Sequence, residues 1–143
     1  MLKHWQTHAE YQQFISEAVS HLNESQLTKL YSYSDSLNKL ASLNLDPVGE
    51  YLKSFYSSTG KPARNQPQII RSFILMLDFK VTSLTKWGEI LASDDILAML
   101  IGCSPDSLPP LGSYYDFIDR LWLQSTQYLG RKTLLSATKK QKA

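Results

Sequence analysis

Three groups of side chains in this chain have the chemistry to hold a phosphate. Lys61 and Arg64 flank Pro62 in a polar stretch, and Arg71 follows one helical turn past Pro67, so these cations are spaced to track a polyanion backbone. Contacts of that kind position a protein without reading sequence. Ser113, Tyr114 and Tyr115 offer hydroxyl donors at the start of a predicted helix, where free backbone N–H groups also suit a phosphate. Arg120 is the cation of that helix, and it stands four residues after Asp116, the spacing of an intrahelical ion pair. Arg131 and Lys132 open the third group: residues 124–143 carry five basic side chains and no acidic one.

The first 123 residues hold the other ten basic and all thirteen acidic side chains, a net −3 against +5 for the chain end. A basic end on a slightly acidic body reads as a phosphate-binding arm, because such contacts gain from counterion release. Other chemistries are poorly served. His4 and His8 are four residues apart, but zinc normally takes four ligands and neither a cysteine nor a third ordered histidine is near, so His4, His8 and His21 read as surface side chains. Asp94-Asp95 reads as a turn and helix cap, and no Ser, His and Asp grouping has nucleophile spacing. The sole cysteine, Cys103, has no partner for an internal disulfide and reads as a small buried apolar side chain in a reducing compartment. No catalytic residue, metal, cofactor or small-molecule substrate is expected. No apolar run reaches the roughly 18 residues of a membrane span, so no membrane partner is expected and a cytoplasmic location is.

The elements that must position these groups are all helices. Thr7 with Glu10 makes a capping box ahead of Tyr11, Phe14, Ile15, Ala18, Val19 and Leu22, which recur at helical spacing. Ser25 is the expected cap of a second helix, with Leu27, Leu30 and Tyr31 inward. Leu37, Leu40 and Ala41 continue the pattern after the polar Ser34-Asp35-Ser36 break. Asp46-Pro47 is a start signal, since Asp accepts free N–H groups and proline loses no bond in the first turn. Its helix is expected to bury Tyr51, Leu52 and Phe55. Gly60 to Gln66 is a basic loop and the clearest boundary. Pro67 then opens a helix whose Ile69, Ile70, Phe73, Ile74, Met76, Leu77 and Phe79 predict the most enclosed helix of the chain. Ser83 starts another, with Leu84, Trp87, Ile90 and Leu91 inward, and Ser93-Asp94-Asp95 turns into Ile96 to Ile101, ended by a left-handed Gly102. After a stiff Pro105–Pro110 connector, Ser113 and Asp116 form a second expected capping box ahead of Tyr114, Phe117, Ile118, Leu121 and Trp122. Trp87 and Trp122 read as core. With 43% apolar residues a packed core is expected rather than disorder.

Two segments in order, Gly60-Lys61-Pro62-Ala63-Arg64 and Gly112-Ser113-Tyr114-Tyr115-Asp116-Phe117-Ile118-Asp119-Arg120-Leu121-Trp122, resemble the N-terminal region of bacterial insertion-sequence transposases of the DDE type. The resemblance implies a DNA-binding region that recognises the terminal repeats of a mobile element, with duplex DNA and a second protomer as partners. It also implies a separate ribonuclease-H-like domain with three metal-binding carboxylates, for which 143 residues leave no room. No catalytic residue carries over, and the chain is expected to be the non-enzymatic DNA-binding part. The expected architecture is an all-α multi-helix bundle: residues 1–59 a helical subdomain, 60–123 a DNA-binding region with a helix-turn-helix-like C-terminal half, and 124–143 a basic tail. The runner-up reading is a helical interaction module in which residues 1–57, rich in Tyr31, Tyr33, Tyr51 and Tyr56, pair two protomers.

Overall fold

A computed structural model describes residues 5–53 and 65–126, the side chains of 122–126 excepted, as an all-helical bundle. The helices are α1 (His8–Ser20), α2 (Glu24–Ser32), α3 (Ser34–Ser42), α4 (Asp46–Leu52), α5 (Gln66–Asp78), α6 (Leu84–Ser93), α7 (Asp95–Ile101) and α8 (Leu111–Thr126), with a 3-10 turn at Pro105–Ser107. No strand occurs among the described residues, and no helix there is long and apolar enough to cross a membrane.

Local chemistry explains most of the helix starts. The Thr7–Glu10 box forms both ways, Glu10 N to Thr7 Oγ1 at 3.1 Å and Thr7 N to Glu10 Oε1 at 3.0 Å. Ser83 caps α6 through Lys86 N at 3.2 Å. For α2 the cap is Asn23 with Gln26, not Ser25, because the asparagine pair also closes a reciprocal box. Asp46 does not cap its own helix. Its Oδ1 accepts instead from His8 N at 3.0 Å and Trp5 Nε1 at 3.3 Å, giving the His8 N–H at the start of α1 an acceptor from 38 residues away.

The most enclosed helix is α7, not α5. All of Ile96 to Ile101 are buried, and α7 packs against α1, α2, α3, α5 and α6. The longer α5 must turn one side outward, and Leu77 on it is 77% exposed. Around α7 lies the larger apolar cluster, with Tyr11, Leu30, Leu40, Leu75, Trp87 and Leu91 buried against it. Trp87 stacks edge-on to Phe79, centroids 5.8 Å apart, and its indole N–H donates to Ser72 Oγ at 2.7 Å. A second, shallower cluster joins Leu52, Ile69, Tyr114 and Phe117 along the seam of α5 and α8.

A helix buried from its second residue to its last leaves end groups that need partners within the protein. At the start of α7, Asp94 Oδ1 accepts from Ile96 N at 3.0 Å and Leu97 N at 3.3 Å, while Oδ2 accepts from Tyr33 Oη at 2.9 Å and lies 3.2 Å from Lys29 Nζ. At its end Gly102 adopts φ 94°, as expected of a left-handed stop. There Tyr11 Oη donates to Leu100 O at 2.5 Å, Arg71 Nη1 to Ile101 O at 3.4 Å and Gln6 Nε2 to Gly102 O at 3.3 Å. A Cβ on Gly102 would fall 2.6 Å from Gln6 Oε1, so the close approach needs glycine as well as the positive φ.

Candidate nucleic-acid interface

The residues expected to meet phosphate do not form one surface among the described residues. Lys61, Arg64, Arg131 and Lys132 lie outside them. Arg71 is 1% exposed, which corrects its expected role as a phosphate contact. Its guanidinium lies 3.7 Å over the Tyr11 ring, and Nη1 donates to Gln6 Oε1 at 2.6 Å as well as to Ile101 O. Burial pulls the Arg71 pKa down to about 10 and pushes that of Tyr11 up to about 12. The charge is held by an aromatic face and by the carbonyl end of α7, where a helix dipole favours a cation.

Of the expected hydroxyl donors on α8, Tyr114 is also committed to the fold, and Ser113 does not hold the cap position expected of it. The helix begins at Leu111, directly after Pro110, so Ser113 is inside the first turn rather than at the cap, and its N–H donates to Pro110 O at 2.9 Å. The expected Ser113–Asp116 capping box is corrected accordingly. Tyr114 is buried, with Oη donating to Ser72 Oγ at 3.0 Å and its ring edge-on to Phe73, so it is not a surface donor. Tyr115 remains exposed. Arg120 Nε lies 2.9 Å from Asp116 Oδ2, which makes it a partner within its own helix.

The electrostatics of the described residues follow from this placement. They contain all thirteen acidic side chains but only seven basic ones, a net −6, while the eight basic residues outside them account for the whole excess of positive charge. Of the seven, Lys29, Lys39, Lys53 and Arg120 sit in ion pairs with Asp94, Asp78, Glu50 and Asp116, Arg71 is buried, and Lys80 and Lys86 stay exposed.

Sequence reasoning missed the polar group of Gln6, Tyr11 and Arg71. Nothing local marks it, since Gln6 and Arg71 stand 65 residues apart. A groove of about 320 Å³ between the N-terminal segment and α4 was also missed; Trp5, Thr7, Asp46, Gly49, Glu50 and Lys53 line it. Two carboxylates on its wall make it a poor phosphate site. Cys103 is buried, and burial pushes its thiol up to about 11, far from the thiolate a nucleophile needs. No three His, Cys, Asp or Glu side chains converge on a metal position among the described residues. Tyr31 is 81% exposed on α2, Tyr33 is tied to Asp94, and Tyr56 lies outside the described residues.

What fold and site define together is an all-helical bundle with an acidic body and basic flanking segments. No protein-family model, characterised protein or solved structure matches the chain.

Proposed function

We propose that this chain is the DNA-binding, non-catalytic part of a DDE-type transposase, acting in the cytoplasm on the terminal repeats of its element. Contact with duplex DNA is assigned to the basic segments carrying Lys61, Arg64, Arg131 and Lys132, with the helical bundle as the rigid body that holds them. The single supporting observation is the division of charge: the described residues carry −6, and eight cations lie in the segments beside them. An acidic body is repelled by phosphate, so affinity has to come from those segments, and Tyr115 on α8 is the remaining exposed hydroxyl of the expected reader helix.

The test is binding of the full chain to short duplexes as salt is raised. Neutralising Lys61, Arg64, Arg131 and Lys132 to glutamine is expected to flatten the slope of log affinity against log salt by about 0.9 for each phosphate no longer neutralised. Substituting Arg71 with methionine is expected to leave that slope unchanged. Absence of binding at about 50 mM salt, where phosphate contacts are strongest, would overturn the reading. In that case the exposed Leu27 and Tyr31, one turn apart on α2, favour the interaction-module reading instead.

A further inference from the structure

We propose that the groove between the N-terminal segment and α4 is a binding site for a small organic cation, an aliphatic primary ammonium held by the Trp5 ring and the Asp46 carboxylate. Three charged side chains line it from one side of α4 and its end: Asp46, Glu50 four residues on, and Lys53 three further. Two carboxylates at the Asp46–Glu50 spacing repel each other. A cation between them turns that repulsion into attraction. Asp46 also keeps an unused acceptor. Its Oδ1 takes both the His8 N–H and the Trp5 indole N–H, whereas Oδ2 has no hydrogen-bond partner among the described residues.

The aromatic wall is fixed in place. Glycine inside a helix destabilises it, yet Gly49 stands at the middle of the seven-residue α4. Trp5 supplies the reason, since a Cβ at Gly49 would fall 2.9 Å from Trp5 Cε2 and 3.1 Å from Cδ2 and Cζ2. With the ring against Gly49 and its N–H on Asp46 Oδ1 at 3.3 Å, an aromatic surface and a carboxylate adjoin the same space. Together they recognise an alkylammonium: the carboxylate accepts its N–H groups, and the ring attracts its charge and packs on its methylene stem. A groove of about 320 Å³ is at the lower end of the range for small-ligand sites, which suits a short amine. Lys53 competes for Glu50 at 3.0 Å, but the two side chains are 64% and 76% exposed, so that pair yields at little cost. Every group invoked lies apart from the segments assigned to duplex DNA, and neither reading decides the other.

Titration of the full chain with n-butylammonium chloride tests it, followed through the Trp5 indole N–H in proton–nitrogen correlation spectra and assigned by its loss in Trp5→Phe. A saturable shift is expected that neither sodium chloride at equal ionic strength nor n-butanol, the neutral analogue, reproduces. Asp46→Asn keeps an acceptor for His8 and Trp5 but removes the charge, and should weaken binding by about tenfold. Lys53→Gln should act in the opposite direction, tightening binding by about twofold, because it removes a competing cation and frees Glu50. A groove that serves only to seat Trp5 would respond to neither change. No saturable shift at tens of millimolar amine, an equal response to sodium chloride or n-butanol, an affinity unchanged in Asp46→Asn, or one not raised in Lys53→Gln would overturn the proposal. Should Asp46→Asn lose its helical circular dichroism, Glu50→Gln at an exposed position replaces it and should weaken binding by about twofold. An unchanged affinity there would count equally against the site.

Discussion

Around α7 twelve buried side chains among the described residues form the cluster, with Phe14, Ile15 and Val19 among its partly buried rim, whereas along the seam of α5 and α8 only Leu52, Ile69, Tyr114 and Phe117 are buried and Ile70, Phe73, Leu84, Leu111 and Leu121 are half covered. Both regions draw on the same residue types, and polar groups make the difference. The α7 cluster is finished at each end by polar side chains: its own cap Asp94 with Tyr33 and Lys29 from distant segments at one, and the distant Tyr11, Arg71 and Gln6 at the other. Beside the seam, Ser72 of α5 receives the Tyr114 hydroxyl and the Trp87 indole. Burying Ile96 to Ile101 thus draws the Arg71 cation and the Tyr11 hydroxyl into the fold, which removes Arg71 from the surface where a DNA contact would need it.

The largest expected contrast is a paired truncation. Leu100 is fully buried on α7, so Leu100→Ala should cost about 2–5 kcal/mol, transfer and cavity terms together. Leu121 is only partly covered, and the same change there should cost about 1 kcal/mol. Urea unfolding of the two variants measures the difference. Equal losses would mean that the seam is as closed as the α7 cluster in solution.

Arg71→Met sharpens the role of the polar end. Methionine fills much of the volume but leaves Ile101 O and Gln6 Oε1 without their donor, at an expected cost of about 1–3 kcal/mol. Arg71 already leaves Nε and Nη2 buried without a hydrogen-bond partner among the described residues. A neutral or stabilising result would show that burying the charge costs more than its contacts return.

Alkaline pH separates the two ends of α7. Tyr11 is pushed up to about 12 by burial and Arg71 down to about 10, so their effects on stability run in opposite directions over the same range and largely offset. Tyr33 stands apart from that pair. Burial, then its hydrogen bond to Asp94, then the Asp94 charge raise it to about 12. The unfolded chain gives up this proton first, above its ordinary value of 10. Its contribution is therefore intact below pH 10 and lost as pH rises toward 12. Unfolding curves across that window should fall less steeply for Tyr33→Phe than for the parent chain; identical slopes would remove Tyr33 from the account.

The sequence reveals what is local and hides what is shared between distant segments. Thr7 with Glu10, Ser83, Asp94 and Gly102 are readable because donor and acceptor lie within a few residues of each other. Asn23 displaces Ser25 because both are competent caps and only one finds Gln26 three residues on. Cap chemistry points to Ser113 as the start of α8, although the backbone turns directly after Pro110. Asp46 and Arg71 mislead for one reason: their partners, His8 and Gln6, are 38 and 65 residues away. Charge division is partly visible, since the body sums negative even with Arg71 counted as a surface cation. The enclosed rank of α7 is hidden because apolar count favours the longer helix, and length itself forces α5 to show a side to solvent.

The smallest expected effect probes the open region at a glycine. In the closed region Gly102 cannot accept a Cβ, for steric and dihedral reasons together. Gly112, in the first turn of α8, has nothing within 4 Å of where a Cβ would stand. Alanine there restricts the unfolded chain and suits the helix, so Gly112→Ala should stabilise by about 0.5 kcal/mol. Gly102→Ala should destabilise under the same urea titration, giving opposite signs from one chemical change. A loss at Gly112 would mean that another surface presses on the start of α8 in solution. The half-covered seam would then be open in the isolated chain alone, and the contrast with α7 would belong to one state of the protein.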